Sequence, residues 1–558
     1  MKNTLKNILI GGVAVVMFAS CDMNLFPTTS IPYEDGDMLI LTENDVRDFN
    51  NGVLATYRGL HYGSHYQTVD VMTECFNATI DFGNNYGFVH RLGEDFQANN
   101  GNVEGIWAAH YSAIKNYNVA IEQVEMLLDD ETKQHLVPSA NLLMANALFG
   151  RASSYLTLAR AFSADYEPET AETELSVPLI LRYDQYEKPV RATLKEVYDQ
   201  IFKDLELAEE LFQNAIEIAP EIALNSGKLI LSGQPKAQAP TLDAVKALMA
   251  RYFLDIHEWD DAADYAMEVI ESAAGYTLAA SYDDMYGEFM MDDGRESIMR
   301  LYAAKGQEGS VGCTIYTGVS STAAEGKFFQ PLFIPSDVIV SAYSNTDLRK
   351  TLWFPLADSE GVALGATYPV KIQGTLHEGI RVFTKYIGNP SLQTGSVEDG
   401  AHYCKPIMIA EMYLIAAEAY AADGDTGNAA AVLNELKSAR KSGSGSGDLW
   451  TEIKAEWLKE TVGAYCRAVI AEFFPALYLP QLEFYEGWVT DKIRSGDRSP
   501  WEFPSCFTDA IKEFQEYFYS EALETFAPDI PGARKGLKRN LMRLADTIEK
   551  IITNGTGK

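Results

Sequence analysis

Apolar and polar positions follow their most regular pattern in residues 405–440. Nearly every residue of the run 407–422 is apolar, aromatic or small, and the carboxylates Glu411 and Glu418 interrupt it. These two residues are seven positions apart, so on a helix they share one narrow stripe and leave the other faces apolar. The pattern therefore predicts a helix that neighbouring helices cover on most sides.

A turn and a second helix follow this run. The residues Asp423-Gly424-Asp425 favour a turn, and Gly427-Asn428 offers a start for the next helix. The apolar stripe of that helix consists of Ala429, Leu433 and Leu436. Together the two segments predict an antiparallel helix pair of the tetratricopeptide type. Residues 241–273 repeat the pattern weakly, which indicates helix pairs stacked into an α-superhelix.

Two stretches lack this helical periodicity. Residues 61–106 are rich in glycine and asparagine, and residues 275–404 are dense in glycine, tyrosine, phenylalanine and proline. Loop regions of this length are usually functional or disordered, and the aromatic content of the second favours order. Short strands are expected near residues 296–302 and 381–386. The predicted fold class is mostly α, with tetratricopeptide-like helix pairs stacked in an α-superhelix, long loop-rich insertions and a few short strands.

The N-terminus has the pattern of a signal peptide. Lys2 and Lys6 precede an uncharged apolar run at residues 8–18, which is too short to span a bilayer. The run ends in Phe18-Ala19-Ser20-Cys21, and small residues before a cysteine resemble the lipobox of bacterial lipoproteins. Cys21 is therefore predicted to carry the lipid anchor. The alternative is an ordinary secreted protein with a cysteine at this place by chance.

These patterns divide the chain into consecutive segments. Residues 443–447 read Gly-Ser-Gly-Ser-Gly, which is typical of a flexible link, and the chain beyond it has helical patterning. We predict a signal peptide at 1–20, a lipid-anchored tether at 21–41, a helical domain at 42–440 with ligand-loop regions 61–106 and 275–404, and a divergent helical C-terminal part of the same domain at 441–558.

The charge balance restricts the kind of partner. The 79 acidic residues outnumber the 45 lysines and arginines and give a net charge of −34. This balance argues against a nucleic-acid partner, whose phosphates need basic side chains, and against adsorption to an anionic lipid surface. A neutral ligand such as a glycan fits it better than an anionic one. The six cysteines include no Cys-x-x-Cys pair, so neither a zinc knuckle nor a dense disulfide scaffold is indicated.

The motifs of the common enzyme classes are missing or incomplete. His61 and His65 have zinc-protease spacing, but the required glutamate is absent because Tyr62 takes its place. Asp423-Gly424-Asp425 would suit a calcium loop, except that Asn434 stands where a bidentate glutamate is needed. The sequence therefore predicts no catalytic residue, cofactor or metal ion. A pair of glycoside-hydrolysing carboxylates stays open, because such a pair is defined in space.

A binding site needs less than an enzyme does: exposed aromatic rings that stack on sugar C–H groups, with Asn, Asp and Arg beside them for the hydroxyls. The two loop-rich regions supply these residue types. The candidates in the first region are Tyr66, Phe82, Asn84, Asn85, Tyr86 and Arg91, and those in the second are Tyr316, Phe328 and Trp353. For each of these aromatic rings, packing beneath its own loop is the alternative to ligand contact.

Fragments spread over residues 21–440 resemble, in their order, the SusD/RagB family of outer-membrane nutrient-binding lipoproteins of Bacteroidota. Besides Cys21 they are Tyr57-Arg58-Gly59-Leu60, Trp107 with Tyr111 and Asn118, Arg151-Ala152, Val177-Pro178-Leu179, Arg191-Ala192-Thr193, Arg251-Tyr252-Phe253, Gly275-Tyr276-Thr277-Leu278, Glu296-Ser297-Ile298 and the run from Ala410 to Tyr420. The C-terminal part departs from the family, since Glu486-Gly487-Trp488 is only a mis-spaced echo of its pattern.

The resemblance implies a function and a location. Proteins of this family are anchored to the outer membrane at the cell surface and act as lids on a TonB-dependent transporter barrel (SusC-like). They bind an oligosaccharide, or in some branches a peptide, and deliver it for import without catalysis. In such proteins loops on one face of the helical scaffold form the ligand site. The alternatives are a peptide-binding member of the family, a surface glycoside hydrolase and a lipoprotein that scaffolds other proteins.

Overall fold

The computed structural model describes residues 38–61, 65–73, 75–80, 86–91, 101–182, 189–218, 239–306, 313–360, 367–443 and 447–463. The predicted signal peptide, the lipidation site Cys21 and most of the predicted tether lie outside these residues, as does the chain beyond 463. Among the described helices, none is both long and apolar enough to cross a bilayer.

The chain is mostly helical, with a few short strands. In order, the helices are α1 (Glu43–His61), α2 (His65–Met72), α3 (Gly87–Arg91), α4 (Gly101–Leu128), α5 (Val137–Phe162), α6 (Leu194–Ile218), α7 (Leu242–Asp255), α8 (Trp259–Ile270), α9 (Tyr282–Met290), α10 (Asp337–Ala342), α11 (Leu348–Trp353), α12 (Ile409–Asp423), α13 (Thr426–Arg440) and α14 (Leu449–Thr461). The strands are β1 (Phe76–Ala78), β2 (Leu175–Pro178), β3 (Arg191–Thr193), β4 (Ser297–Met299), β5 (Val319–Thr322), β6 (Gly326–Phe329), β7 (Phe333–Pro335), β8 (Val370–Ile372), β9 (Thr375–His377) and β10 (Ile407–Met408).

The long helices pack on one another in succession and form what we call the helical scaffold (α1, α4–α8 and α12–α14). Helix α5 packs between α4 and α6, α7 pairs with α8, and α12 pairs with α13. The predicted helix pairs are confirmed, and the two that resemble each other in sequence are neighbours, because α8 packs against α12. The fold class predicted from the periodicity is thus observed.

The turn between α12 and α13 shows why these helices end where they do. Gly424 has a φ of 91°, a left-handed conformation that suits glycine, and it terminates α12. The side chain of Asp425 then accepts a hydrogen bond from the backbone N–H of Asn428 and so caps α13. The second helix therefore begins at Thr426, one residue before the predicted start.

A second hydrophobic core lies outside the helical scaffold, in what we call the loop module (the described parts of residues 65–91 and 275–404). Strand β1 of the first loop-rich region pairs antiparallel with β7 of the second, with Phe76 opposite Pro335. The module also contains a four-stranded sheet in the order β5-β6-β8-β9. The two loop-rich regions are separate insertions in the sequence. In the structure, they share one sheet and one hydrophobic core.

One of the two predicted strands is confirmed and the other is wrong. Strand β4 lies within residues 296–302 and pairs with β10 at the start of α12. Residues 381–386 instead form one isolated bridge, from Leu356 to Arg381. Val382 donates its backbone N–H to the carbonyl of Pro355. Because proline has no N–H to donate in return, the ladder cannot continue there.

Helix α14 connects the two cores. Its residues Ile453 and Trp457 belong to the core of the scaffold, while Leu458 packs against the core of the loop module and Val462, just after the helix, belongs to it. The helix contacts α12 on one side and α10 on the other. The first turns of the chain beyond the Gly-Ser link therefore pack on the same body as the preceding residues.

Candidate functional site

The predicted ligand residues of the first loop-rich region are only partly visible. Phe82, Asn84 and Asn85 lie outside the described residues, and for Tyr66 in α2 and Arg91 in α3 the structure describes the backbone alone. Their role in ligand contact stays a prediction.

Tyr86 is half-buried beside the core of the loop module. It has a φ of 69°, which is uncommon for a residue with a side chain, and its hydroxyl donates a hydrogen bond of 2.5 Å to Oε1 of Gln67. This bond ties the start of α3 to α2. Strained backbone conformations of this kind are often found at functional sites, so Tyr86 remains a candidate.

The aromatic candidates of the second region are buried. The ring of Tyr316 lies between Phe76 and Phe383, with centroid distances of 4.5 and 5.2 Å. Trp353 is 0% exposed, and Phe328 is 3% exposed. None of these rings offers a face to a ligand in this arrangement. Their position favours the packing alternative, because a module built of loops needs bulky aromatic side chains to form a core of its own.

A pair of tyrosines that the sequence analysis did not select lies at the surface instead. Tyr302 is 46% exposed, and its ring centroid lies 6.4 Å from that of Tyr403 at an angle of 54°. The guanidinium of Arg300 lies over the Tyr403 ring, 4.8 Å from its centroid. A hydrogen bond from the N–H of Leu301 to the carbonyl of Cys404 aligns the two chain segments. We call Tyr302 and Tyr403 the tyrosine pair.

The sequence contains a pattern that points to Tyr302 but none that points to its neighbour Tyr403. Tyr302 ends the predicted strand 296–302, and a residue just past a strand is often at the surface. Tyr403 lies about a hundred residues further on and reaches Tyr302 only because β4 pairs with β10. The sequence does not show which strands pair, so it could not show that the two rings are neighbours.

Close to this surface, a cleft with a volume of about 100 Å³ separates the helical scaffold from part of the loop module. Residues of α1, α5, α7, α14 and the start of α12 line it, together with Lys385 and the segment before α12. The charged residues that line it are Arg160, Arg251, Lys385, Lys405, Glu411 and Glu460. We call it the cationic cleft.

Paired charges hold the walls of the cationic cleft together. Arg251 on α7 binds Glu411 on α12 with Nε···Oε1 at 2.6 Å and Nη2···Oε2 at 2.5 Å. Arg160 on α5 binds both carboxylate oxygens of Asp255 at 2.6 and 2.8 Å. Bidentate arginine–carboxylate pairs of this type fix the geometry of both partners. Glu411, one of the two carboxylates that interrupt the apolar run of α12, thereby has a structural partner.

Two lysines also line the cleft. Lys405 is buried and binds Oδ1 of Asp292 at 2.5 Å. Lys385 donates instead to the backbone carbonyls of Glu460 and Val462, at 2.8 and 3.0 Å. Burial lowers the pKa of Lys385 to about 8, an effect that the charge of Glu460 only partly offsets.

The carboxylate of Glu460 binds two buried arginines. Its carboxylate accepts hydrogen bonds from Nη1 of Arg349 at 2.8 Å and from Nε and Nη2 of Arg440 at 3.1 and 2.8 Å. Burial alone would raise the pKa of Glu460, but the two guanidinium groups outweigh it and hold the pKa at about 2. Since the three residues belong to α11, α13 and α14, this cluster joins the loop module to the scaffold.

The titratable groups between the tyrosine pair and the cleft are poorly suited to catalysis. Burial lowers the pKa of His402 to about 4 and raises the pKa of the Cys404 thiol to about 12. A base of that strength is weak at neutral pH, and a thiol that stays protonated is a poor nucleophile. Within the described residues, no group of three or more His, Cys, Asp or Glu side chains could hold a metal ion.

Comparison with known proteins gives a family match over part of the chain. The model of the SusD-like_3 family, described as "Starch-binding associating with outer membrane", matches residues 31–227. No curated protein sequence matches the chain significantly.

Solved structures resemble the chain over most of its length. A SusD superfamily protein from Bacteroides thetaiotaomicron has 21% identity and a TM-score of 0.60, covering 80% of this chain and 93% of its own. A putative sugar binding protein from Bacteroides vulgatus has 21% identity and a TM-score of 0.57, covering 76% and 85%. A SusD-like carbohydrate binding protein from the same species has 18% identity and a TM-score of 0.55, covering 77% and 82%.

The family match and the fold agree with the resemblance found in the sequence. Residues 31–227 thus match the SusD-like_3 family model, and the chain shares its fold with proteins described as members of the SusD superfamily.

Proposed function

We propose that this protein is a cell-surface lipoprotein that binds a nutrient oligosaccharide and delivers it to a TonB-dependent transporter in the outer membrane. The observation that carries the proposal is the match to a family described as starch-binding and associated with the outer membrane. Two proteins with the same fold are described as sugar or carbohydrate binding. The exposed tyrosine pair adds a physical means of binding.

The tyrosine pair has the properties that a sugar platform needs. Aromatic faces attract the C–H groups of a sugar ring, and the angle of 54° between the two rings suits successive units of a curved chain. Arg300 lies over one face of the Tyr403 ring and helps to hold that ring in place. The area that such a platform buries is small, so we expect modest affinity for a single glycan chain.

The first test replaces Tyr302 with alanine. We expect Tyr302→Ala to weaken the binding of maltotetraose roughly tenfold, because one stacking face is lost, and to leave stability almost unchanged, because the ring is exposed. Isothermal titration calorimetry measures the affinity.

Tyr282 provides a matched control for this test. It is 41% exposed, lies on α9 and stacks on Tyr286, so Tyr282→Ala removes a similar aromatic surface elsewhere in the loop module. Equal affinity in the wild type and Tyr302→Ala would move the site to other residues, with Tyr86 and the first loop-rich region as the next candidates. Binding of peptides but no glycan would favour the peptide-binding alternative, and release of shortened sugars would favour a hydrolase.

The second test concerns the anchor. Cys21→Ala is expected to move the protein from the membrane fraction to the soluble fraction of the cell, since two or three acyl chains give stable anchoring and the described helices do not span a bilayer. Fractionation followed by immunoblotting measures the change. A variant that stays in the membrane fraction would refute lipidation at Cys21.

Purification of the wild type from membranes tests the partner. A co-purifying protein that is not a β-barrel receptor would count against delivery to a transporter.

A further inference from the structure

The cationic cleft contrasts with the charge of the whole protein. The chain carries a net charge of −34, which the sequence analysis took as a reason to expect a neutral ligand. The fold nevertheless brings Arg160, Arg251, Lys385 and Lys405 to one small space. The net charge is a sum over the whole chain, whereas a ligand in a cleft interacts most strongly with the charges that line the cleft.

Three of these four cations have a carboxylate partner, whereas Lys385 forms no ion pair with any residue that the structure describes. Asp255, Glu411 and Asp292 bind Arg160, Arg251 and Lys405 respectively. The hydrogen bonds of Lys385 go to carbonyl oxygens, and the nearby Glu460 already accepts bonds from two arginines. Within the described residues, carbonyl oxygens therefore hold the ammonium of Lys385, and Glu460 favours its charge from nearby without a direct hydrogen bond.

The cleft also has an available donor and room for a small group. Arg251 uses Nε and Nη2 for Glu411 and Pro406, while its Nη1 makes no hydrogen bond to any part of the chain that the structure describes. The side chain of Arg251 is 17% exposed. A volume of about 100 Å³ suits a carboxylate or sulfate group but not a polymer chain.

The position of the cleft relates it to the tyrosine pair. Tyr403 belongs to the pair, and Lys405, two residues further along the chain, lines the cleft. Two residues of extended chain span roughly 7 Å. A glycan stacked on the tyrosines could thus place a substituent of a neighbouring sugar unit at the entrance of the cleft.

We propose that the cationic cleft is a subsite for the carboxylate or sulfate group of an acidic sugar. The group would accept hydrogen bonds from Nη1 of Arg251 and lie near the ammonium of Lys385. This inference rests on the proposed glycan binding, because the tyrosine pair holds the rest of the ligand. It names the class of glycan, one that contains uronic acid or sulfated units.

Binding in the cleft should depend on pH through Lys385. Its ammonium faces Glu460 and Asp70, which favour the charge, and Arg440 and Arg349, which oppose it. The pair Arg251–Glu411 and Lys405 also line the cleft. Since the pKa of Lys385 is about 8 and a bound anion stabilises the ammonium, affinity for an acidic glycan should fall as the pH rises above 8, while affinity for a neutral glycan stays constant.

The experiment compares tetragalacturonate with maltotetraose on the full-length protein by calorimetry. The double variant Arg251→Gln/Glu411→Gln removes the ion pair as a unit, so that no unpaired charge is left half-buried. We expect it to weaken tetragalacturonate binding about tenfold and maltotetraose binding less than twofold. The matched control is Lys246→Gln/Glu268→Gln, an ion pair of 2.6 Å that also begins on α7 but does not line the cleft.

A second variant and a free anion complete the test. Lys385→Met should also weaken tetragalacturonate selectively and abolish the fall in affinity above pH 8. Equal losses for both glycans, or no loss in either variant, would overturn the subsite. Sodium sulfate that competes as well as tetragalacturonate at equal concentration would show a site for free anions and overturn the assignment to an acidic sugar. If the wild type binds maltotetraose at least as tightly as tetragalacturonate, the subsite is overturned but the proposed function stands. If it binds neither glycan, the subsite and the proposed function are both overturned.

Discussion

Replacing Glu460 with alanine is expected to lower the free energy of unfolding by about 3–5 kcal/mol. The change leaves Arg349 and Arg440, both 0% exposed, without a carboxylate that they share across three helices. Arg349 keeps Asp347 and Glu456, and Arg440 keeps Glu296, but the hydrogen bonds that both guanidinium groups make to Glu460 are lost in a region where water cannot replace them. Urea unfolding followed by circular dichroism measures the difference from the wild type.

Glu452 on the same helix is the control for this prediction. It pairs with Lys437 at 2.6 Å, but its side chain is partly exposed, so Glu452→Ala should cost less than about 1 kcal/mol.

The effect of Glu460 should also depend on pH. Because its pKa in the folded state is about 2 against an ordinary value of 4.5, its contribution is present above pH 4.5 and is lost as the pH falls toward 2. Equal losses of unfolding free energy in Glu460→Ala and Glu452→Ala would contradict the arrangement of the cluster. So would a stability difference between the wild type and Glu460→Ala that stays the same as the pH falls toward 2.

The second large effect is expected at Gly150. A Cβ atom at this position of α5 would lie 2.6 Å from Cζ and 2.7 Å from Cε1 of Tyr117, whose ring on α4 is fully buried. The ring has no free space into which it could move, because protein interiors are close-packed. We therefore expect Gly150→Val to destabilise the protein by about 3 kcal/mol or more, again measured by urea unfolding.

Two further variants separate this clash from the effect of valine in a helix. Gly105 lies on α4, where an added Cβ would meet nothing within 4 Å, so Gly105→Val should be nearly neutral. Tyr117→Leu combined with Gly150→Val should recover part of the loss, since the smaller side chain makes room for the methyl groups. A Gly150→Val protein as stable as the wild type would mean that α4 and α5 do not approach each other as closely as the structure shows.

The candidate site could be predicted from the sequence only as a region. The loop-rich regions were correctly recognised as different from the helical scaffold, because glycine, asparagine and proline act locally on the backbone. The aromatic residues selected in the second region, Tyr316, Phe328 and Trp353, are instead buried. Trp353 and Tyr302 are both large aromatic residues of the second region, yet one is fully buried and the other is 46% exposed. What separates them is whether other segments cover the ring, and a residue type carries no such information.

The sequence by itself determined the helix pairs, their turns and the resemblance to a family. The apolar period of α12, the Gly424 turn and the ordered family fragments are local patterns, which short-range interactions impose whatever the rest of the chain does. Only the tertiary structure decided which groups meet. Arg251 and Glu411 are 160 residues apart, and β1 and β7 pair across more than 250 residues. Because the cationic cleft and the tyrosine pair depend on such contacts, they exist only once the chain has folded.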